Sequence, residues 1–313
     1  MTFDVACVGL TILDILGRPV ERIPPGGGVD FIEEIRLTVA GTAAGTVIDC
    51  AKLGLKSRSV GAVGADEKGD FVLDTYRRLG IDVEAMQRID GVPTSATILN
   101  VRPNGDRPAL HVRGASDDLS LGLADYDTVC DARFLHMGGT GPLNAMDGAP
   151  TAALLEAAKA RGCTTTFDLI APSDRTLALV EPCLPHVDYF MPSMEEAVVL
   201  SGLHEPAAIA DFFLDRGAST CIFKWGARGS YLANATHRLR IPAFRIDVVD
   251  TTGCGDAYCA GFIAGLAQGW DVEAACHLGT AASGLVATGL GSDAGIVDLD
   301  QTITLMETAE VLE

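Results

Sequence analysis

The chain has 313 residues, of which 48% are hydrophobic, and its formal net charge is −19 at pH 7. The length suits one large domain or two ordinary ones, and the apolar content is enough for a real core. The negative charge argues against nucleic acid or an anionic membrane surface as a partner. The 9 cysteines and 6 histidines lack metal-ligand spacing, and we see neither a leader nor an apolar run of bilayer length, so we expect reduced thiols in a cytoplasmic protein.

The first predicted strand is the apolar run from Phe3 to Leu10. Asp14 follows at the point where this strand should end, and α/β proteins bind ligands at the carboxyl edge of their sheet. Asp14 is therefore a candidate substrate ligand, with an ordinary turn residue as the alternative. Residues 31–39 alternate between apolar and polar side chains, which predicts strands with one wet face.

Two helices are predicted in the next part of the chain. The small residues 40–46 lead into a helix from Val47 to Leu53, and a second helix runs from Asp70 to Leu79. A glycine follows each helix, as is usual at helix C-termini. A short strand, residues 59–63, is predicted between the two helices.

A β-hairpin is predicted beyond the second helix. Residues 94–101 and 107–112 are β-prone and flank Asn104 and Gly105, a strong hairpin signal. We place this hairpin in one small sheet with residues 32–39. Three arginines lie near it, for which we predict a solvated face, with contact to an acidic substrate as the alternative: Arg102, Arg107 and Arg113.

From Tyr126 onward, strands and helices alternate, which implies a parallel sheet with helices on both faces. Ser193 and Glu196 follow one of these strands with the three-residue spacing of a helix capping box. The predicted strands are 134–137, 164–169, 189–191 and 220–223, and the predicted helices are 150–161, 176–184 and 273–285.

The stretch from Asp250 to Phe262 is the most informative part of the chain. The β-branched run from Ile246 to Val249 predicts a strand end before it, and small residues predict a helix from Ala257 onward. Two glycines lie in the turn between them, where the first N–H groups of a helix favour an anion. The carboxylate of Asp256 in this turn suits a phosphoryl-transfer site, where it would take a proton from an attacking hydroxyl. The alternative is a helix-capping Asp beside packing glycines.

Several common enzyme motifs are missing from the sequence. It has no G-x-x-x-x-G-K-[ST] P-loop and no G-x-G-x-x-G after the first strand, which disfavours two frequent nucleotide-binding folds. It also has neither H-E-x-x-H nor G-x-S-x-G, which argues against two classes of hydrolase.

The stretch around Asp256 resembles the C-terminal signature of the ribokinase-like (PfkB) carbohydrate kinases, D-T-x-G-A-G-D-x-F-x-A-G-F. In that family the second Asp is the catalytic base, and the amides before it form an anion hole. The resemblance therefore assigns the base to Asp256 and the anion hole to Gly253, Cys254 and Gly255. Cys254 stands where the family usually has Ala, and a role as a small filler is expected for it.

The resemblance extends over nearly the whole chain and also implies substrate contacts by Asp14, Gly41, Gly45 and Asp256. Asp14 has the spacing after Gly9 at which the family contacts sugar hydroxyls. Gly41 and Gly45 lie in the N-terminal signature G-G-x-x-x-N, and Gly45 replaces the Asn that normally contacts the substrate. The identity of the substrate is therefore left open.

ATP and Mg²⁺ are the cofactors that the resemblance implies, with K⁺ as a further candidate. Glu196 matches the family's N-x-x-E motif and would organise Mg²⁺ through water and phosphate. Asp250 and Thr252 are assigned to a monovalent cation shared with the loop 287–293. The residues assigned to the nucleotide are Lys224, Gly226, Gly229, Thr252, Gly253 and Gly255.

The implied fold is α/β, with a three-layer α/β/α core around a mostly parallel sheet and a small β-sheet lid. We assign residues 1–14, 40–91 and 114–313 to the core, and residues 15–39 and 92–113 to the lid. The expected function is ATP-dependent phosphorylation of a hydroxymethyl group on a sugar or sugar-like molecule. The alternatives are a nucleoside kinase of the same family and a non-catalytic ligand-binding relative. Because lid strands in this family often pair between subunits, we expect a homodimer.

Overall fold

The computed structural model describes residues 1–104 and 106–312. Gly105, the glycine of the predicted hairpin turn, lies outside them. The strands are β1 (Phe3–Gly9), β2 (Ile12–Arg18), β3 (Glu34–Ala40), β4 (Ser57–Val60), β5 (Ala62–Gly64), β6 (Gln87–Ile89), β7 (Ala96–Asn100), β8 (Ala109–Val112), β9 (Ala132–Thr140), β10 (Thr164–Leu169), β11 (Tyr189–Phe190), β12 (Thr220–Lys224), β13 (Ser230–Asn234) and β14 (Arg238–Ile241). The helices are α1 (Thr42–Lys52), α2 (Glu67–Arg78), α3 (Tyr126–Val129), α4 (Ala149–Ala160), α5 (Thr176–Val180), α6 (Met194–Ser201), α7 (Pro206–Leu214), α8 (Cys254–Ala267), α9 (Val272–Ala287) and α10 (Leu299–Thr308).

The large sheet has the strand order β14-β13-β12-β11-β10-β9-β1-β4. The strands from β12 to β4 run parallel, and β13 and β14 add an antiparallel edge. Residues 5–9 of β1 are buried without interruption, as expected for a strand covered on both faces.

Helices cover both faces of this sheet. On one face, Leu135 and Phe167 pack in a core with α4, α6 and α7; on the other, Val5 and Phe134 pack with α1, α8 and α9. A Cβ on Gly261 of α8 would lie 2.7 Å from a backbone oxygen of α9, so the small residues of α8 permit its close approach to α9. The predicted three-layer arrangement with a mostly parallel sheet is confirmed.

The small sheet has the order β3-β2-β7-β8, and β7 and β8 form the antiparallel hairpin that the sequence predicts. Asp14 lies within β2, so the expectation that it follows the end of the first strand is wrong: the chain turns at residues 10–11 and begins a new strand at Ile12. The residue ranges that we assigned to the core and to the lid remain a prediction.

Four predicted elements differ clearly from the observed ones. The strand predicted over residues 59–63 is two strands, β4 and β5, on either side of Gly61. Residues 246–249 form no strand, because Val249 donates its N–H to Ala287 O at the end of α9 (2.8 Å) rather than to a neighbouring strand. Helix α1 begins at Thr42, five residues before the predicted start, and its small side chains are buried against the core. Helix α5 ends at Val180 rather than continuing to residue 184.

Among the described residues, no single helix has the length and apolar character needed to cross a membrane. Helices α6 and α7 meet those criteria only when they are taken together across a bend of 65°.

Candidate active site

A cavity of about 610 Å³ lies where the two sheets and the start of α8 meet. Its walls come from β2 and β7 of the small sheet, from the carboxyl ends of β10 and β12, and from the turn before α8. This volume is in the range of small-molecule sites, and the carboxyl edge of a parallel sheet is their usual position.

The turn before α8 is held in its conformation by Gly253. This residue has φ 79°, and a Cβ on it would lie 2.5 Å from Ser292 Cα, so only glycine fits here. Helix α8 begins at Cys254, and the N–H groups of its first turn have no acceptor within the helix. They therefore form a favourable site for an anion at the cavity wall.

Asp256 lies in the first turn of α8, lines the cavity and is half-buried. Burial raises the pKa of its carboxyl group to about 8, with a further increase from the nearby carboxylate of Asp168 and a partial decrease from Lys224. A carboxyl group with a pKa in this range is an effective proton acceptor near neutral pH. The side chain at this position is therefore suited to general base chemistry.

Lys224, at the end of β12, forms an ion pair with Asp168 at the end of β10. Their side chains are only 12% and 1% exposed. Burial alone would lower the pKa of Lys224, but Asp168, Cys259 and Glu196 together outweigh this effect, and the pKa is raised. The ammonium group stays charged, 3.2 Å from the position that a Cβ on Gly255 would occupy, and so adds positive charge beside the anion site.

Asp14 lines the opposite wall of the cavity from its position in β2. Burial raises the pKa of its carboxyl group to about 6, although Thr97 and the guanidinium of Arg107 lower it. Gly41 also lines this wall as the N-cap of α1, with φ 101° and no room for a Cβ beside Leu10 O. Gly45 does not line the cavity and lies beneath the side chain of Asp256.

Glu196 lines the cavity but also completes a capping box at the start of α6. Its Oε2 accepts the N–H of Ser193 at 2.8 Å, and Ser193 Oγ accepts the N–H of Glu196 at 3.2 Å. In residues 1–104 and 106–312, no three His, Cys, Asp or Glu side chains come together as metal ligands. The site would therefore suit Mg²⁺ only as an ion held mainly by phosphate and water.

The nucleotide residues expected from the sequence all line the cavity. Gly226, Gly229 and Thr252 line it together with Trp225, over whose ring the guanidinium of Arg228 lies at 3.9 Å. Burial raises the pKa of the Cys254 thiol to about 12, so this side chain stays protonated in the turn. Asp250 is buried behind the cavity wall.

Two residues at the site were missed or placed differently by the sequence. Asp168 lies near the end of β10 and pairs with Lys224. A position at a strand end is the signal by which the sequence identified Asp14, and it could have identified Asp168 as well. The prediction of a solvated face is wrong for Arg107, which lines the cavity and reaches Asp250 and Thr252. No local pattern marks Arg107, because its partners are 143 and 145 residues away.

Comparisons with known proteins agree with this geometry. A profile of the pfkB family carbohydrate kinases matches residues 2–298. A 2-dehydro-3-deoxygluconokinase of Bacillus subtilis (strain 168) is 29% identical over 270 residues, which cover 83% of each chain. A ribokinase from Thermotoga maritima has a TM-score of 0.82 at 25% identity, covering 98% of this chain and 100% of the other. An Arabidopsis thaliana ribokinase, solved with ribose and ATP, has a TM-score of 0.84 at 20% identity, covering 98% and 99%.

The predicted ribokinase-like fold is therefore confirmed, and the family profile spans nearly the whole chain. The chain belongs to the pfkB family of carbohydrate kinases, and it is a kinase for a sugar or a nucleoside.

Proposed function

We propose that this protein transfers the γ-phosphoryl group of ATP to a hydroxymethyl group of a sugar or sugar-like molecule, with Asp256 as the general base. The observation that carries this proposal is the position of Asp256 in the first turn of α8, facing the cavity, with its pKa raised to about 8. A proton acceptor and a set of backbone N–H donors are thus adjacent.

The proposed reaction uses the two walls of the cavity. Asp14 binds hydroxyl groups of the acceptor and orients its hydroxymethyl group toward Asp256. Asp256 takes the hydroxyl proton as the oxygen attacks the γ-phosphorus in line. A new O–P bond forms, the bond from the γ-phosphorus to the bridging oxygen breaks, and ADP leaves. The first N–H groups of α8 and the ammonium of Lys224 stabilise the negative charge on the phosphoryl group in transfer.

Lys224, Gly226, Gly229 and Thr252 are the proposed contacts of the nucleotide. Gly226 has open space in front of its Cα, which leaves room for the ligand to approach the backbone there. Bound Mg²⁺ would supply charge neutralisation on the phosphates, and Glu196 is the side chain placed to contact its water shell. The several carboxylates of the cavity favour such a cation.

ADP release over a panel of sugars, sugar acids and nucleosides tests this function. We expect turnover with at least one sugar or sugar acid, and loss of that turnover in Asp256→Asn with nucleotide binding retained by calorimetry. Asp247→Asn is the matched control, because Asp247 is exposed and lies outside the cavity. Comparable turnover in Asp256→Asn would rule out the general base, and turnover with nucleosides alone would favour the nucleoside kinase.

We also propose a homodimer through the outer face of the small sheet. Leu37, Ile15, Ile98 and Leu110 stand side by side across its four strands, and three of them are exposed. Contiguous apolar surface of this kind is typical of an interface. Light scattering after gel filtration should give a dimer for the parent protein and a monomer for Leu110→Glu. Leu123→Glu, at an exposed leucine elsewhere, should stay dimeric; a monomeric parent protein would contradict the proposal.

A further inference from the structure

An arginine of the small sheet reaches the turn that precedes α8. Arg107, in the β7–β8 connection, donates from Nη1 to Asp250 Oδ1 at 3.2 Å and to Thr252 Oγ1. Asp250 and Thr252 are the residues that the family resemblance assigns to a monovalent cation. The guanidinium therefore contacts one side-chain oxygen of each of the two residues assigned to that cation.

The carboxylate of Asp250 is fully engaged by protein donors. Its side chain is 1% exposed, and a buried carboxylate needs both a countercharge and hydrogen bonds. Oδ1 accepts from Thr252 N at 3.0 Å and from Thr252 Oγ1 at 2.8 Å in addition to Arg107, and Oδ2 accepts from Gly291 N at 3.0 Å. Among these donors to the Asp250 carboxylate, Arg107 carries the positive charge.

The loop 287–293, which would share the cation, is also bound by fixed positive charges. Arg36 of β3 donates to Leu290 O and to Asp293 Oδ1, the latter at 2.8 Å. Thr38 of the same strand donates to Asp293 Oδ1 at 2.8 Å, and Lys52 donates to Asp293 O. The side-chain oxygens of Asp250 and Thr252, and the named oxygens of Leu290 and Asp293, thus already accept from donors of this chain.

We propose that Arg107, supported by Arg36, takes the place of the monovalent cation, so that the protein needs no K⁺ at the turn before α8. A free cation beside the guanidinium of Arg107 would be repelled, and the charge of Asp250 is already balanced. Arg36 lies in β3 and Arg107 in the connection between β7 and β8 of the small sheet, whereas Asp250 and Asp293 flank α8 and α9. Arg107 is accordingly a positioning residue that ties the small sheet to the anion-binding turn.

The first test measures thermal unfolding of the protein alone in equal concentrations of KCl and choline chloride. The midpoint of the parent protein should be the same in both salts. Arg107→Ala should lower the midpoint by about 2 °C or more, and KCl should restore part of that loss where choline chloride does not. Arg107→Lys keeps the positive charge, so its unfolding midpoint should lie between those of the parent protein and Arg107→Ala. Arg102→Ala, at an exposed arginine of the same hairpin, should behave like the parent protein.

The second test measures kcat/KM in the same two salts and rests on the proposed function. Arg107→Ala should lose roughly 10- to 100-fold through misplacement of the turn, and the parent protein should be unaffected by the exchange of salts. Specific stabilisation or activation of the parent protein by K⁺ would overturn the proposal, as would an Arg107→Ala variant identical to it in both measurements. If no acceptor is found, the unfolding test still decides the matter, so the two proposals can fail separately.

Discussion

The carboxylate of Asp256 occupies the space that a side chain at position 45 would fill: a Cβ on Gly45 would lie 2.6 Å from Asp256 Oδ2 and 2.9 Å from Asp256 Cβ. Helix α1 therefore supports the proposed base by having no side chain at this point.

The contact between Gly45 and Asp256 predicts that Gly45→Ala impairs catalysis more than folding. The added methyl group should displace the Asp256 carboxylate and lower kcat roughly 10- to 100-fold. Helix propensity favours Ala by about 0.5–1 kcal/mol, which offsets part of the steric cost to stability. Steady-state kinetics and urea unfolding of the same sample measure both effects.

Gly284→Ala is the matched control for that variant. Gly284 lies inside α9, where a Cβ would make ordinary contacts at 3.6 Å, so this change should stabilise the fold by about 0.5–1 kcal/mol and leave kcat unchanged. Full activity of Gly45→Ala would show that catalysis does not depend on the contact between the Asp256 carboxylate and residue 45 of α1.

The raised pKa of Asp256 predicts the pH dependence of the reaction. As the pH falls below about 8, a growing fraction of the Asp256 carboxyl groups is protonated and unable to accept a proton, so kcat/KM should rise with pH and level off above about 8. The apparent value belongs to the coupled set of cavity carboxylates rather than to Asp256 alone. The test is a measurement of kcat/KM from roughly pH 5.5 to 9.5. A kcat/KM that falls with rising pH in this range would contradict the assignment of Asp256 as the general base.

The same pKa predicts a pH-dependent effect on stability. In the folded state Asp256 keeps its proton up to about pH 8, whereas the unfolded chain loses it near 4. The folded state therefore binds more protons in this window, and its stability falls as the pH rises from about 4 to 8. Asp256→Asn removes this penalty and should unfold at a higher temperature than the parent protein above pH 8.

The difference in unfolding temperature between Asp256→Asn and the parent protein should shrink as the pH falls toward 4, where the carboxyl group is protonated in both states. Each unit of raised pKa corresponds to about 1.4 kcal/mol, so the effect at high pH should be readily measured by scanning calorimetry. Asp247→Asn should show no such trend, because Asp247 is exposed. A constant difference at all pH values would mean that Asp256 does not titrate in this window.

The ion pair between Lys224 and Asp168 predicts a strong effect of removing one partner. Lys224→Met leaves the buried Asp168 carboxylate without its countercharge and should lower the free energy of unfolding by about 3–5 kcal/mol. Because Lys224 lowers the pKa of Asp256, its loss should also move the rise in kcat/KM to higher pH. Urea unfolding and a pH profile measure the two effects.

The double variant Lys224→Met with Asp168→Asn separates the ion pair from the packing around it. Removal of both charges should recover much of the lost stability, since no uncompensated buried charge remains. An additive loss in the double variant would show that the pair contributes through packing rather than through charge.

The features that could be predicted from the sequence are those set by contacts between near neighbours along the chain. The turn and helix around Asp256, the two capping bonds between Ser193 and Glu196, and the β7–β8 hairpin all follow from short segments. The alternation of strands and helices was enough for the three-layer fold, because apolar strands of this kind must be covered on both faces. The resemblance to a kinase family was strongest in one such segment and is confirmed.

Relationships between distant residues depended on the packing of the whole chain. The pairing of Lys224 with Asp168, the contact of Arg107 with Asp250 and the approach of Asp256 to Gly45 join residues that no local pattern connects. The run 246–249 shows the reverse case: its β-branched residues favour a strand, but the end of α9 takes the backbone bond that a strand would need. Local preferences amount to a fraction of a kcal/mol per residue, whereas the position of a buried charge is decided by the partner that can neutralise it.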